Sequence, residues 1–315
     1  MGRAVAGGRD ATCDGVPDLL VGARGQALIV DGTTGRAVAS VAFVPGEIKH
    51  PDGGTSMGTI PRIRPTVRGT DGLLRAQPAA EAPYLGCGVE WLPDLDGDGR
   101  ADVAVGSVEL FMVPMGRTYI VASADPERLL VLSNAGWSLA ALDDVDGDGS
   151  PELAASTPAV DVAVYGLDDG RAVWRMNYEH YGNQGTSLAV LPDVDEDGAD
   201  ELLLGAHEDG KECGFAAIYS GRTGASLCGS FELPSIEELK ELFDPGTRHD
   251  WCMSALDAAA LPDLDSDGPP EMAVHLAPLN EVRVLSTTDG AVRWSTALEP
   301  LAAAAQELGS AIEED

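Results

Sequence analysis

The sequence has few basic residues and no long apolar segment. Twenty Lys and Arg residues stand against 52 Asp and Glu residues in 315, which gives a formal net charge of −32. Such a charge repels nucleic acid and anionic membrane surfaces. No stretch approaches the roughly 18 consecutive apolar residues that a membrane span needs. We therefore expect no nucleic-acid partner and no membrane insertion.

Signals for processing and catalysis are also scarce. The N-terminal residues 1–5 lack the apolar core of a secretory signal. The five cysteines are an odd number, so they cannot all pair within the chain. Cys213, Cys228 and Cys252 fall in one repeat and could form one bridge, but free thiols are the favoured interpretation. No Gly-rich phosphate loop, nucleophile elbow or zinc-type His spacing is present, and we expect no catalytic role.

Aspartate at regular spacing is what the sequence has instead. Residues 94–102 place Asp at loop positions 1, 3, 5 and 9, with Gly99 at position 6. A residue without a Cβ permits the tight curl that brings these side chains together. Carboxylate oxygens, with a backbone carbonyl at position 7, suit a hard cation that takes six to eight oxygen ligands. The pattern therefore predicts a Ca²⁺ site.

This loop occurs four times in full and once in a weaker form, in which a threonine replaces one acid. The predicted ligands are Asp94, Asp96, Asp98 and Asp102; Asp144, Asp146, Asp148 and Glu152; Asp193, Asp195, Asp197 and Glu201; Asp263, Asp265, Asp267 and Glu271; and Asp10, Thr12, Asp14 and Asp18. Position 12 lies in a strand-length apolar run and is never Glu, which excludes the helix–loop–helix calcium hand. We expect four to five Ca²⁺ ions.

Internal repeats predict the fold. Repeat starts fall near residues 2, 54, 86, 136, 185 and 255, and a hairpin with a tight glycine turn follows four of the five acidic loops. Four antiparallel strands about every fifty residues are typical of a propeller blade. The sequence predicts an all-β single domain, 1–315, forming a β-propeller of four-stranded blades. Six blades are favoured, with five and seven as alternatives.

Two segments fit this pattern less well. The unit that starts at residue 54 is short and has no acidic loop, so it is either a degenerate blade or an insertion. The tail, 299–315, is either a closing strand or a terminal helix. It ends near the start of what reads as another repeat, which suggests a piece of a longer chain.

The repeat at residues 185–206 reads Gly-x-Ser-Leu-Ala-x-Leu-Pro-Asp followed by Asp-x-Asp-x-Asp-Gly-x-x-Glu-Leu-x-x-Gly-Ala. It resembles the FG-GAP repeat of integrin alpha-chain propellers and their bacterial relatives, although Phe is missing from the Phe-Gly pair. The resemblance covers nearly the whole chain. It implies a propeller with calcium in the loops between the first two strands of each blade, and partners on the opposite face.

Strand order places the long insertions 40–85 and 230–254 on the face opposite the acidic loops. Residues 235–243 predict a short helix that acts either as a lid or as part of a binding site. Trp174 and Trp294 follow equivalent turns, and we expect them to pack between blades. The sequence therefore predicts an extracellular or cell-surface binding or adhesion module for protein or carbohydrate, since extracellular calcium modules suit a millimolar-calcium environment.

Two alternatives remain open. One is a polysaccharide lyase or hydrolase on a calcium-binding propeller, for which only scattered candidates exist: His207, Glu208, Asp209, His249 and Asp250. The other is a purely architectural repeat domain within a larger surface protein.

Overall fold

The computed structural model describes residues 4–23, 25–49, 55–65, 67–68, 74–75, 85–110, 114–122, 129–133, 135–156, 162–176, 187–206, 215–227, 231–232, 257–276 and 281–297. Within these ranges the regular structure is entirely β. No helix in this part of the chain is long and apolar enough to span a membrane. The prediction of an all-β fold is confirmed.

Twenty-three strands form five large antiparallel sheets and one small sheet. Blade 1 contains β1 (Ala4–Arg9), β2 (Asp18–Ala23), β3 (Gln26–Val30), β4 (Ala37–Lys49) and β5 (Thr55–Pro65). The small sheet pairs β6 (Val67–Arg68) with β7 (Leu74–Arg75). Blade 2 contains β8 (Leu85–Leu92), β9 (Asp102–Leu110), β10 (Pro114–Val121) and β11 (Leu129–Ser133). Blade 3 contains β12 (Leu139–Leu142), β13 (Glu152–Ser156), β14 (Val162–Gly166) and β15 (Ala172–Met176). Blade 4 contains β16 (Ser187–Leu191), β17 (Glu201–Ala206), β18 (Phe215–Ser220) and β19 (Phe231–Glu232), and blade 5 contains β20 (Asp257–Ala260), β21 (Glu271–Leu276), β22 (Glu281–Ser286) and β23 (Val292–Ala297).

In every blade, consecutive strands are hydrogen-bonded neighbours, so each blade is an up-and-down meander. The five sheets form a β-propeller. Five blades was one of the alternatives, whereas the favoured count of six is not what the described residues form. The physical reason lies in the unit that starts near residue 54.

The described residues of that unit form no blade of their own. Its first strand, β5, pairs antiparallel with β4 over eleven residue pairs, from Ala39 opposite Pro65 to Lys49 opposite Thr55. A missing acidic loop leaves β5 without the turn that starts a new meander, so it extends blade 1 as a fifth strand. The part of this hairpin beyond the β3 pairing, residues 43–49, is about 20 Å long at roughly 3.3 Å per residue.

The blades pack face to face through apolar side chains. On β17, Leu202 and Leu204 lie in one hydrophobic cluster and Leu203 in another. This is the alternation of side chains expected of a strand with both faces buried. Four clusters join successive blades, each with fully or almost fully buried members from both: Leu20 with Trp91, Leu92 with Leu153, Leu142 with Leu202, and Leu203 with Met272.

Serine hydroxyls connect the first strands of successive blades. The backbone N–H of Leu188 in blade 4 donates to Ser138 Oγ next to β12 of blade 3, at 3.1 Å. The N–H of Ala258 in blade 5 donates to Ser187 Oγ of blade 4, at 2.8 Å. The Gly-x-Ser-Leu pattern of the repeat therefore has a structural meaning that sequence reasoning did not supply: its Ser bonds the next blade.

Candidate metal-binding loops

The acidic loops connect the first and second strands of each blade, and in blades 1 and 4 they lie beside the turn between the third and fourth strands. In blade 1, Thr33 Oγ1 in that turn donates to Asp14 Oδ2 in the acidic loop, at 2.6 Å. In blade 4, Arg222 Nε lies 3.7 Å from Asp197 Oδ2. Both contacts place acidic loops and glycine turns at one end of the propeller, as strand order predicts.

The first Asp of each loop organises the loop backbone. In blade 3, Asp144 accepts hydrogen bonds from the N–H groups of Gly147 and Gly149, at 2.7 and 2.9 Å. Gly149 has φ of +93°, which residues with a Cβ rarely adopt. Three loop N–H groups donate in the same way to Asp94 in blade 2, with Gly99 foremost, and they lower the pKa of its carboxyl. The curl predicted from the spacing is therefore present.

The acid at position 9 is the buried member of each loop. It begins the second strand of the blade, and one of its oxygens accepts the backbone N–H of loop position 2. In the four full loops the donor–acceptor distances are 2.6 to 2.9 Å, for Asp102, Glu152, Glu201 and Glu271. All four side chains are at most 1% exposed. Each of these four loops thus combines three acids at its rim with one at its base.

Glu152 is the residue whose environment is least satisfied. Its Oε2 accepts the N–H of Val145, but its Oε1 is buried with no hydrogen-bond partner among the described residues. Burial, and then the nearby carboxylates of Asp146, Asp144 and Asp148, raise the pKa of Glu152 to about 7. A buried carboxylate oxygen without a donor, facing three other carboxylates, is the arrangement that a bound cation would satisfy.

The side chains converge in four of the five loops. Ligand atoms lie within 4.8 Å of one another in the sets Asp144, Asp146, Asp148 and Glu152; Asp193, Asp195, Asp197 and Glu201; Asp263, Asp265, Asp267 and Glu271; and Asp94, Asp96 and Asp102. Asp98 is the one acid of the second loop outside its set. Every donor in these sets is a carboxylate oxygen, the ligand that hard divalent cations prefer. The acidic groups of these loops could therefore hold metal ions.

The first loop does not converge in the same way. Both oxygens of Asp18 are occupied by backbone donors: Oδ2 accepts from Ala11 and Thr12, and Oδ1 from Gly32, each at 2.9 Å. The bond from Thr33 to Asp14 also lowers the pKa of that carboxyl. Backbone and hydroxyl donors in this blade already bind carboxylate oxygens that a cation would need as ligands.

In the fifth loop an arginine approaches the rim. Arg293 on β23 contacts Asp267 Oδ2 through Nη2 at 2.6 Å and Asp265 Oδ2 through Nε at 3.1 Å. Blade 3 has Val173 at the equivalent position. The guanidinium neutralises part of the fifth loop, so this loop fits a metal ion less well than the third.

Loop position 4 also has a left-handed backbone, which sequence reasoning missed. Gly97 and Gly147 adopt φ of +81° and +84°, but Cys13, Glu196 and Ser266 adopt +60° to +63° at the same position in other blades. The two glycines were the available signal. The strain of the other three residues is held by the hydrogen bonds to the first Asp.

A cleft of about 650 Å³ opens between blades 4 and 5 on this same face. Its apolar lining includes Ile218 and Leu227, and its acidic side is formed by Asp193, Asp195 and Glu196 of the fourth loop. The cleft therefore shares two predicted ligands with that loop.

The remaining candidates fall into two groups. Trp174 packs against the cluster between blades 3 and 4, and its Nε1 donates to Gly221 O of blade 4 at 2.6 Å, which confirms interblade packing for this residue. Trp294 is 49% exposed. The other candidates lie outside the described residues: His207, Glu208, Asp209, His249, Asp250, Cys213, Cys228, Cys252, the helix predicted at 235–243 and the tail 299–315. Of the other cysteines, Cys13 and Cys87 form no disulfide bond with a described residue.

Comparison with known proteins agrees with the fold. No protein-family model matches the chain, and no curated protein matches its sequence. Among solved structures, Sqt1 of Saccharomyces cerevisiae has a TM-score of 0.54 at 13% identity, over 95% of this chain and 75% of that chain. BBS1N, solved in complex with ARL6DN and soaked with lead, has a TM-score of 0.52 at 11% identity, over 94% and 69%. At these identities the likeness shows the fold alone, and the resemblance to FG-GAP repeats stays a prediction.

Proposed function

We propose that this chain is a calcium-stabilised β-propeller of the FG-GAP type that acts as a non-catalytic binding module, extracellular or at the cell surface. One observation carries the proposal: carboxylates converge in four equivalent loops, and in the third loop the basal Glu152 has a buried oxygen with no partner among the described residues. A divalent ion would neutralise each cluster and fix the loop that joins two strands.

The third and fourth loops offer the best sites. Each gathers four acids within 4.8 Å, and burial raises the pKa of both basal residues, Glu152 and Glu201, to about 7. Neutral carboxyls at that pH are poor ligands, so binding of a cation would displace their protons. The second loop, with three converging acids, and the fifth, with its arginine, would bind less tightly. Four ions, at unequal affinities, follow from this order.

A protein or carbohydrate partner would bind the face opposite the loops. The β4–β5 hairpin supports a protein partner, because it extends blade 1 well beyond the β3 pairing and away from the acidic end. Its outer strand, β5, is the edge of a five-stranded sheet, and edge strands can pair with an added strand. The complex of BBS1N with ARL6DN is an example of a protein of similar fold with a protein partner.

Calcium titration of the purified chain tests the metal sites. We expect isothermal titration calorimetry to detect binding with a Kd of about 10⁻⁴ to 10⁻³ M, the range of extracellular modules, and chelation to lower Tm. Asp146→Asn should abolish binding at the third loop. Glu281→Gln also removes one carboxylate charge, but at the start of β22 beside the end of β21, away from the acidic loops, and is the matched control. No heat of binding, and equal melting in calcium and EDTA, would refute the proposal.

The partner is tested separately on the calcium-loaded protein. Replacing residues 46–58 with Asn-Gly keeps Pro45 opposite Thr59 and shortens the hairpin at its outer end. A glycan array and a screen of surface-protein ectodomains would be run on both forms. We expect a ligand of the intact protein that the shortened form loses. A polysaccharide cleaved by the intact protein would instead favour the enzyme.

A further inference from the structure

The contact between blades 3 and 4 shows how one blade receives another in this chain. The indole N–H of Trp174 donates to Gly221 O. The ring packs on Gly224 so closely that a Cβ on this glycine would lie 2.8 Å from it. A methyl carbon of Val145, at loop position 2, lies 3.4 Å from where a Cβ of Gly221 would be. A tryptophan and a loop aliphatic of one blade therefore fit against the glycine turn of the next.

Blade 5 presents the same kind of side chains, but no described blade covers them. Trp294 and Leu264 are the equivalents of Trp174 and Val145, and they are 49% and 52% exposed. Val292, beside Trp294 on β23, is 50% exposed. We call Leu264, Val292 and Trp294 the outgoing face.

Blade 1 presents the matching surface. Leu188 and Leu202 of blade 4 are 8% and 0% exposed because blade 3 covers them, whereas their equivalents in blade 1, Val5 and Leu19, are 64% and 43% exposed. Val16 is 39% exposed, although Ala199, its equivalent in blade 4, is buried. We call Val5, Val16 and Leu19 the incoming face.

The glycine turn of blade 1 is part of this surface. Gly32 and Gly35 are the equivalents of Gly221 and Gly224, and Gly35 has φ of +65° against +69° for Gly224. No atom of the described residues lies within 4 Å of where a Cβ on Gly35 would be, the place that the tryptophan ring fills at Gly224. The turn keeps the shape that receives a tryptophan, but among the described residues none is there.

We propose that the outgoing face of one chain docks on the incoming face of a second copy. The two faces form a complementary pair by the same rules as the interfaces inside the chain, yet both remain exposed within a single copy. The partner that carries the matching turn, loop and strand is another copy of this chain. Because each copy has one face of each kind, the contact is heterologous and joins copies head to tail.

Sedimentation velocity over a range of concentrations tests this contact. EDTA is present so that the result does not depend on the proposed calcium sites, and about 0.5 M NaCl screens repulsion between the acidic chains. We expect the wild type to associate with rising concentration. Trp294→Ser and Leu19→Ser should each weaken association by roughly 10- to 100-fold, as for central apolar anchors of an interface. Val131→Ser, an exposed apolar residue on β11 of blade 2, should change nothing.

Mixing the two weakened variants gives the sharpest result. Trp294→Ser keeps its incoming face and Leu19→Ser keeps its outgoing face, so an equimolar mixture should form dimers and nothing larger. Circular dichroism and melting curves show whether each variant is folded. A wild type that stays monomeric at every concentration overturns the proposal. This holds even if fluorescence quenching shows that Trp294 is buried against another part of the same chain. It is equally overturned if association survives both substitutions.

Discussion

Removing a buried acid that is well paired lowers the stability of a protein, but Glu152 is not well paired without a cation, so we expect Glu152→Gln to have the opposite effect. Without a cation and above pH 7, the wild-type carboxylate is buried, has one unpartnered oxygen and faces three aspartates. The Gln amide is neutral and of the same shape, can still accept the N–H of Val145 and can donate to the neighbouring carboxylates. We therefore expect Glu152→Gln to stabilise the calcium-free protein and to remove one calcium site.

The size of the stabilisation follows from the pKa of Glu152. The difference between its ordinary value of 4.5 and about 7 in the folded protein corresponds to about 3.4 kcal/mol at roughly 1.36 kcal/mol per pKa unit. Water at the exposed rim of the loop reduces this to about 1–2 kcal/mol. Since the folded pKa is raised, the stability of the calcium-free wild type falls as pH rises from 4.5 through 7. Glu152→Gln has no carboxyl at this position, so its stability should fall less between pH 4.5 and 7 than that of the wild type.

Calcium should invert the ranking. An ion present at about 100 times its Kd adds about 2.7 kcal/mol per site to the wild type, and the variant lacks one site. Urea unfolding at pH 5 and pH 8, in EDTA and in calcium, gives the free energy of unfolding of each protein under these four conditions. Glu281→Gln is the control, because a hydrogen bond from Arg283 lowers the pKa of Glu281 and its loss should destabilise the protein at pH 8. The reasoning fails if Glu152→Gln is less stable than wild type in EDTA at pH 8, or gains as much from calcium.

Three further predictions concern other sites. Arg293→Gln removes the guanidinium from the fifth loop and should raise calcium affinity there by about threefold to tenfold, measured by calorimetry against Arg171→Gln, which loses an exposed ion pair outside the clusters. Burial raises the pKa of Glu90 to about 7, so Glu90→Gln should stabilise the protein by about 1–3 kcal/mol at pH 8 and little at pH 4.5; equal urea midpoints at pH 8 would contradict this. Gly224→Ala forces a Cβ to within 2.8 Å of the Trp174 ring at φ of +69°, and should lower the free energy of unfolding by about 1–3 kcal/mol and shift Trp emission to the red.

The loops could be predicted because the interactions that shape them are local. Asp144 bonds to N–H groups three and five residues later, and Glu152 to one seven residues earlier. Spacing and a glycine at position 6 are sufficient to specify such bonds. The same locality explains why the apolar run after each loop predicts a strand.

What spacing could not show is which loops hold their acids free for a cation. Loop 1 resembles the others in sequence, but Gly32 and Thr33, from a turn later in the same blade, bond to Asp18 and Asp14. Arg293 reaches the fifth loop from the last strand of its blade, 26 residues from Asp267. These contacts cross the blade, and no local pattern encodes them.

The sequence alone determined that this protein is a β-propeller of repeated meanders with acidic loops at one end, since a repeat that cannot bury both faces alone must stack on its neighbours. Only the tertiary structure decided that β5 joins blade 1, that five blades form, and that Trp174 is covered while its equivalent Trp294 is exposed. Those outcomes depend on which strand edge or blade face meets which across the molecule. The free energy of such long-range packing is a property of two surfaces together, and each repeat specifies only one of them.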